Sequence, residues 1–457
     1  MMQFFTLLLL FLCTFFPLLH MLNALPIFFY RNNSQPILEG THKKMSILIP
    51  CYNEERIIET TIKGIERIDY MAKEVIYIND GSQDGTMKIL HNLLKLVPED
   101  RKTSNRLSFK KIKNFYKSTL YSNVYVIDKE NGGKHDALNA GIDYSKNELV
   151  VTLDADCILA DDALNVLNQV FHDKDVIAGG GMVHPLQGVR FNKNKVERSL
   201  LVNYVTRFQI FEFIKGFYIN RVSLAKFNAL SVISGAFGIF NKEILFHVGG
   251  YRETLGEDID ITLKFQQYIL KNPGKKMVFA PDAVCYTECP ETWKDLFKQR
   301  VRWQKAFIDC IIHYFPMLIK TFLFRTVSFF MLIDSFLLGT IAIYYTIFNL
   351  GYMFFTNLDQ AKNLILFYLI GVVSLNLIYS IFAISLARYY GVHFKGKEKK
   401  RLAITIILDL FVYRFVTLFF VLFGTVAYFI KRNDWNKVAR TGRVYEIEKE
   451  KEMMDVG

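Results

Sequence analysis

The sequence predicts an α/β domain with a mostly parallel sheet, held between helical segments apolar enough to span a membrane. Three observations predict it. Short β-rich apolar runs alternate with amphipathic stretches between residues 45 and 160. Apolar residues concentrate toward the two ends of the 457-residue chain, whereas the middle reads as an ordinary soluble domain. Each β-rich run ends in a polar cluster, where open α/β sheets place their ligands.

The ends set the expected domain organisation. Phe4 to Tyr30 matches the ~20 apolar residues a helix needs to cross a bilayer. Its start, Met1-Met2-Gln3, lacks the basic region of a cleaved signal, so a retained anchor over 1–30 is expected. Arg31, Lys43 and Lys44 mark a basic linker, 31–44, whose charge favours the cytosol. A cytosolic domain over 45–305, an interfacial helix over 306–326 and a membrane region over 327–430 follow. Apolar runs at Val327–Tyr352, Leu364–Leu386 and Ile404–Ile430 give that region three segments. A charged tail, 431–457, closes the chain.

These segments imply a multi-pass protein of the plasma membrane, and they carry a conflict. With the N-terminus outside, four crossings put the tail outside, yet Lys431, Arg432, Lys437, Arg440 and Arg443 favour the cytosol. The loop Arg388–Arg401 is basic as well. A re-entrant course for Ile404–Ile430, which contains Asp409 and Arg414, would reconcile the two. Asp334, Asp409 and Arg414 lie within apolar segments, where a charge needs a polar cavity, a protein partner or a nearby interface.

Composition narrows the partners. Net charge is +12, but the 56 Lys and Arg residues are scattered or flank apolar segments. That pattern suits membrane lipid headgroups and argues against nucleic acid. The six cysteines form no paired CxxC motifs and read as reduced thiols.

Within the domain, the runs Met45–Ile49, Glu74–Ile78, Val124–Asp128 and Leu149–Leu153 predict strands. The polar, basic stretch Asp100–Asn123 predicts a surface insertion. Residues 190–230 mix basic and aromatic residues and predict helices near the membrane face. The first strand leads into Asn53-Glu54, the second into Asn79-Asp80-Gly81-Ser82, the third into Asn131-Gly132-Gly133-Lys134, and the fourth into Asp154-Ala155-Asp156. Any one could be a turn or a cap. Four at successive strand ends converge on one edge of a sheet. Asp154 and Asp156, on a rigid strand end, have the hard oxygen donors that Mg²⁺ or Mn²⁺ takes beside a diphosphate. Lys134 can add positive charge there, while Asn53, Glu54, Asp80 and Asp154 can hold a nucleoside diphosphate donor.

Together with Ser234-Gly235-Ala236-Phe237, Gly256-Glu257-Asp258 and Gln299-Arg300-Val301-Arg302-Trp303, these motifs resemble the family-2 glycosyltransferases. The likeness is to the processive cellulose, chitin, hyaluronan and poly-N-acetylglucosamine synthases, over about residues 45 to 310. It implies a GT-A-type fold and an inverting, metal-dependent transfer from a UDP-sugar to a growing β-linked polysaccharide. It also implies an accessory subunit of an export complex as a partner. Asp258 would be the base; Ser234, Gly235, Glu257, Gln299, Arg302 and Trp303 would face the acceptor and the diphosphate. The residues agree, since Gln299, Arg302 and Trp303 share a helical face. Arg pairs with phosphate in a planar fork, and Trp offers a surface to a sugar ring.

The sequence departs from the family at two points. Asn79 stands where many members have Asp; poly-N-acetylglucosamine synthases often share that Asn, which tilts the expected sugar toward N-acetylglucosamine. Gln304-Lys305-Ala306 departs from that subgroup and tilts it back toward glucose. Two other readings compete: transfer of one sugar to a polyprenyl phosphate or glycolipid, and an inactive membrane scaffold. A dinucleotide-dependent dehydrogenase is excluded, because no GxGxxG follows the first strand.

Overall fold

The structure, a computed structural model, describes residues 2–25, 42–192, 195–356 and 358–430. Residues 26–41, which include most of the linker 31–44, and the tail 431–457 lie outside the described residues. Among the described residues, twelve strands form in chain order: β1 (Met45–Cys51), β2 (Lys73–Asp80), β3 (Leu96–Pro98), β4 (Ile112–Ser118), β5 (Val124–Lys129), β6 (Leu149–Leu153), β7 (Cys157–Leu159), β8 (Val176–Pro185), β9 (Val189–Asn192), β10 (Lys195–Arg198), β11 (Phe237–Asn241) and β12 (Lys276–Thr287). The helices are α1 (Met2–Ala24), α2 (Ile58–Glu66), α3 (Thr86–Leu94), α4 (Lys134–Tyr144), α5 (Ala163–Val170), α6 (204–226), α7 (Lys242–His247), α8 (Glu257–Lys271), α9 (Trp293–Lys320), α10 (Thr326–Thr356), α11 (Leu358–Tyr389) and α12 (Lys397–Ile430).

Ten strands make one sheet in the order β3-β4-β5-β2-β1-β6-β11-β8-β12-β7. The four runs read from sequence are its centre, β5-β2-β1-β6, and all pair in parallel. β1, β2 and β6 are buried almost throughout, as parallel strands covered on both faces must be. β11 then enters antiparallel between β6 and β8 and carries the Ser234-Gly235 segment to the sheet's working edge.

Two expectations need correction. Residues 100–123 are not merely a surface insertion, because they contribute β4, which pairs antiparallel with β5. Arg101, at the start of the stretch, is buried: it donates to Glu74 and lies over the rings of Phe115 and Tyr125, 5.3 and 4.6 Å from their centroids. Glu74 also accepts from Ser46 Oγ at 2.6 Å and Lys146 N at 3.1 Å, so one carboxylate gathers four segments. Residues 190–230, expected to be helical, open instead with the antiparallel β9–β10 pair, and only then does α6 begin.

The membrane-side helices dock on α6. Among the described residues, four helices are long and apolar enough to cross a membrane: Phe4–Ala24, Thr326–Thr356, Leu369–Tyr389 and Lys397–Ile430. The re-entrant course is not observed; α12 is one continuous helix with a π-helical turn at Asp409–Tyr413. The charged residues of these helices have protein partners. Asp409 meets Lys215 of α6 at 2.6 Å, Asp334 meets His20 of α1 at 3.0 Å, and Arg414 donates to Asn376 of α11 at 2.9 Å. His20 also bonds Ser223 of α6 at 2.8 Å. In an apolar medium such pairs avoid the cost of an unsatisfied polar group. The interfacial helix expected from residue 306 starts earlier, at Trp293, so the 305/306 boundary falls within α9.

Removing one partner of a buried pair leaves the other charge uncompensated, at about 3–5 kcal/mol. Arg101→Leu is therefore expected to lower stability by about that amount in denaturant unfolding of the full chain in detergent. An unchanged midpoint would show the 100–123 stretch to be peripheral after all.

Candidate functional site

The first two strand ends are zipped together by their loops. Asn53, at φ 54°, donates from its N–H to Ser82 Oγ at 3.0 Å and accepts from Gln83 N at 2.8 Å. Glu54 N donates to Thr86 Oγ1 at 2.8 Å, and Gly85 N donates to Glu55 Oε2 at 2.8 Å. Asn and Asp side chains do this readily, because their short polar groups reach nearby backbone.

Asp80 has a different neighbourhood from the one expected. Its carboxylate is buried against Lys129 Nζ at 2.6 Å and accepts from Gly132 N at 3.0 Å and Gly133 N at 2.7 Å. Lys129 is fully buried and also meets Asp136 at 2.5 Å. Gly133 sits at φ 91°, a left-handed region where a side chain is strained, and it hands the chain directly into α4. Asp80 thus shapes the loop that aims Lys134.

Lys134 is where the remote motifs meet. Its ammonium lies 2.6 Å from Asp154 Oδ1, at the end of β6, and 3.0 Å from Glu257 Oε1, at the start of α8. Burial alone would lower its pKa; the two carboxylates outweigh burial and hold it above the ordinary lysine value. Burial would likewise raise Glu257, but Lys134, helped by Arg302, keeps that carboxyl below its usual range. Gly235 leaves the site open from the β11 side. A methyl group there would sit 3.1 Å from Lys134 Nζ and 3.7 Å from Asp258 Oδ2. Lys134, Ser234, Gly235, Tyr251, Glu257 and Asp258 line one recess.

Asp258 behaves differently from its neighbour. Burial, then the adjacent Glu257 charge, push its carboxyl up to about 6, while Lys134 and Arg221 pull the other way. One oxygen accepts from the N–H of Ile259 at 2.8 Å. The turn beneath it is held from both sides: Asp258 O accepts from Thr262 Oγ1 at 2.6 Å, and Thr262 Oγ1 accepts from Ile233 N at 2.8 Å. Such a group is ionised at neutral pH and can still take up a proton.

The pair Asp154 and Asp156 straddles a strand end, with Asp156 buried and Asp154 partly open. No group of three or more His, Cys, Asp or Glu suited to a metal occurs among the described residues. Two carboxylates still fit a cation such as Mg²⁺, which is commonly held by one or two carboxylates and completes its shell with substrate phosphates.

On α9, the sequence reading singled out Gln299, Arg302 and Trp303. Arg302 acts on Glu257 by charge, and Trp303 keeps 43% of its surface exposed. Gln299 Oε1 is buried without a hydrogen-bond partner among the described residues. Arg300 was missed. It bonds Glu212 of α6 at 2.7 Å and lies 4.1 Å over the Trp303 ring. Tyr413 of α12 donates to the same Glu212 oxygen at 2.7 Å. Tyr251 and Arg221 were missed too; no local pattern marks them, since only the fold brings them near Asp258.

Comparisons with known proteins follow the same lines. The glycosyl transferase family 2 model matches residues 46–246, and the glycosyl transferase family group 2 model matches residues 149–430. A poly-β-1,6-N-acetyl-D-glucosamine synthase of Staphylococcus epidermidis is 28% identical over 63% of this chain and 61% of its own length. One from Staphylococcus aureus (strain COL) is 29% identical over 62% of this chain and 58% of its own. The match thus spans about three-fifths of these relatives. Among solved structures, a mannosyltransferase from Pyrobaculum calidifontis in complex with GDP-Man and Mn²⁺ aligns over 92% of this chain and 99% of its own, with TM-score 0.47 and 16% identity. With one family model covering more than half the sequence, and its motifs gathered at one sheet edge, the chain belongs to glycosyl transferase family group 2.

Proposed function

We propose that this protein is a membrane-embedded, inverting glycosyltransferase that lengthens a β-linked polysaccharide from a UDP-sugar on the cytosolic side. The convergence of Lys134, Asp154, Glu257 and Asp258 beside Gly235 carries the reading. UDP-N-acetylglucosamine is the first donor to test, because the curated relatives are poly-β-1,6-N-acetyl-D-glucosamine synthases, and UDP-glucose is the second. The basic residues after α1 and the basic Arg388–Arg401 loop before α12 support a cytosolic catalytic side.

The chemistry follows from the charges. Asp258 takes the proton of the acceptor hydroxyl as its oxygen attacks the donor's anomeric carbon. The bond from that carbon to the diphosphate breaks, its electron pair leaves with the nucleoside diphosphate, and the configuration inverts. Lys134 supplies positive charge near the departing diphosphate. Asn53, Glu54 and the loop shaped by Asp80 form the donor's nucleoside end. Asp154 and Asp156 would hold a divalent cation, which when bound neutralises diphosphate charge. Glu257 fixes Lys134, Arg302 adds a planar fork for phosphate, and Trp303 offers the growing sugar chain a stacking face. Ser234, Gly235 and Gln299 shape the acceptor side.

Asp258→Asn should retain UDP binding and lose transfer by at least ~100-fold, the usual size of a lost general base. In the wild type, the base is competent only when ionised. Turnover measured by UDP release should therefore be flat above about pH 6 and fall roughly tenfold per unit below it. Equal loss of UDP affinity in the Asn variant would make Asp258 a donor ligand instead.

EDTA should abolish UDP release, with Mg²⁺ or Mn²⁺ restoring it, and Asp156→Asn should be inactive but folded. Full turnover in EDTA would remove the metal from the reading.

Product length separates elongation from single transfer. At low conversion with acceptor in large excess, mass spectrometry should find long chains, and Trp303→Ala should shorten them without weakening UDP binding. Mono-glycosylated lipid alone, unaffected by Trp303→Ala, would favour transfer to a lipid-linked acceptor.

A further inference from the structure

The turn that carries the base is fastened to the last membrane-side helix, through a residue outside every motif above. Asp309 lies on α9, six residues beyond Trp303, and is only 4% exposed. Its Oδ2 accepts from Thr254 Oγ1 at 2.9 Å, and its Oδ1 accepts from the hydroxyl of Tyr428, near the end of α12, at 3.1 Å. Thr254 Oγ1 in turn accepts from Gly256 N at 3.5 Å, and Gly256 immediately precedes Glu257 and Asp258. Cys310 Sγ lies 3.8 Å from Gly256 O.

Packing gives this chain of bonds little slack. A methyl group on Gly256 would lie 2.8 Å from Ala306 Cβ, so the turn is seated directly on α9. One on Gly424 would lie 2.5 Å from Gln304 Cβ, so α12 is seated on α9 just as closely. Gln304 Nε2 donates to Thr425 of α12 at 3.1 Å and Thr340 of α10 at 3.2 Å. Rings from α12 continue the contact, with Phe420 and Phe423 5.9 and 5.7 Å from Phe297.

We propose that Tyr428, Asp309 and Thr254 form a latch by which α12 holds the Asp258 turn in place, Tyr428 and Asp309 being positioning residues for the transfer. Burial alone does not account for the Tyr428 arm. Asp309 already has Thr254 as a donor and Arg252 at 3.9 Å, both from its own domain. The Tyr428 hydroxyl comes from 119 residues away, on a helix that presents a row of apolar side chains outward. A displacement of α12, such as a polymer passing along it would cause, reaches the base through three hydrogen bonds and a packed glycine.

The readout rests on the transferase reading, and full-length protein in nanodiscs tests the two separately. Tyr428→Phe deletes one hydroxyl and keeps the ring. It should cut the turnover number for UDP release by about 10-fold, the order one well-placed hydrogen bond supplies, and shorten the products. UDP affinity and thermal midpoint should stay as in the wild type. Thr254→Val should do the same, and the double variant should be no worse than the poorer single, because both cut one path. Asp309→Asn, which keeps the shape and an acceptor, should fall between. A Tyr428→Phe protein with wild-type turnover and product length overturns the latch, as do losses that multiply in the double variant or track UDP affinity. Wild-type protein that releases no UDP from either donor overturns the transferase reading instead.

Discussion

The ammonium of Lys134 is the interaction on which the site depends. Asp154 arrives from the end of β6 and Glu257 and Asp258 from the start of α8, so three carboxylates gather near one recess, which the last two line, and like charges this close repel. One cation between Asp154 and Glu257 compensates both charges directly. Its own position is inherited. Gly133 aims α4, Asp80 holds Gly133, and Lys129 neutralises Asp80 and Asp136 from inside the core. The charge pattern therefore alternates from the sheet interior to the recess, each ion fixed by the one behind it. A network of this kind is costly to leave half satisfied, which ties the site's geometry to the stability of the domain.

A second set of polar contacts connects this domain to its apolar helices. Within a bilayer there is little hydrophobic reason for one apolar helix to choose another, so polar pairs and close packing set the arrangement. Here they fall largely on two helices of the domain. α6 receives His20 at Ser223 and Asp409 at Lys215, and its Glu212 is shared by Tyr413 and Arg300. α9 receives Thr425 and Tyr428. Both helices also act on the recess by charge, Arg221 of α6 on Asp258 and Arg302 of α9 on Glu257. The membrane-side helices and the recess are thus built on shared supports.

Much of this was legible in the sequence, for physical reasons that also explain the gaps. The central strands were readable because burial on both faces demands continuous apolar runs, as in β6 (Leu-Val-Val-Thr-Leu). β4 was not, because a strand near the sheet margin and half exposed to solvent keeps polar residues, and Ile-Lys-Asn-Phe-Tyr-Lys-Ser reads as a loop. The strand-end clusters placed Asp80, Lys134 and Asp154 at one edge of the sheet, where Asp80 holds Gly133 and Lys134 meets Asp154. They could not reveal that Asp80 is engaged by Lys129, a partner 49 residues away with no motif of its own. Arg300 and Arg302 look alike in sequence. Only the packing of α9 against α6 shows that one is buried on Glu212 while the other acts on Glu257.

The ionisation of Asp258 shows how these supports decide chemistry. It stands in the first turn of α8, where the helix dipole stabilises an anion by typically 0.3–1 kcal/mol. That alone would depress its pKa by less than one unit. The shift runs the other way, up from 3.8 to about 6, against the charged form. Burial comes first among its causes and the Glu257 charge second, and together they outweigh the dipole, Lys134 and Arg221. Glu257, one residue earlier in the same turn, shifts the other way because Lys134 touches it directly. Two adjacent carboxylates on one helix end are thereby driven apart, one fixed as a counter-ion and one free to exchange a proton. The separation depends on which of them the lysine reaches, and the loop held by Asp80 sets that reach.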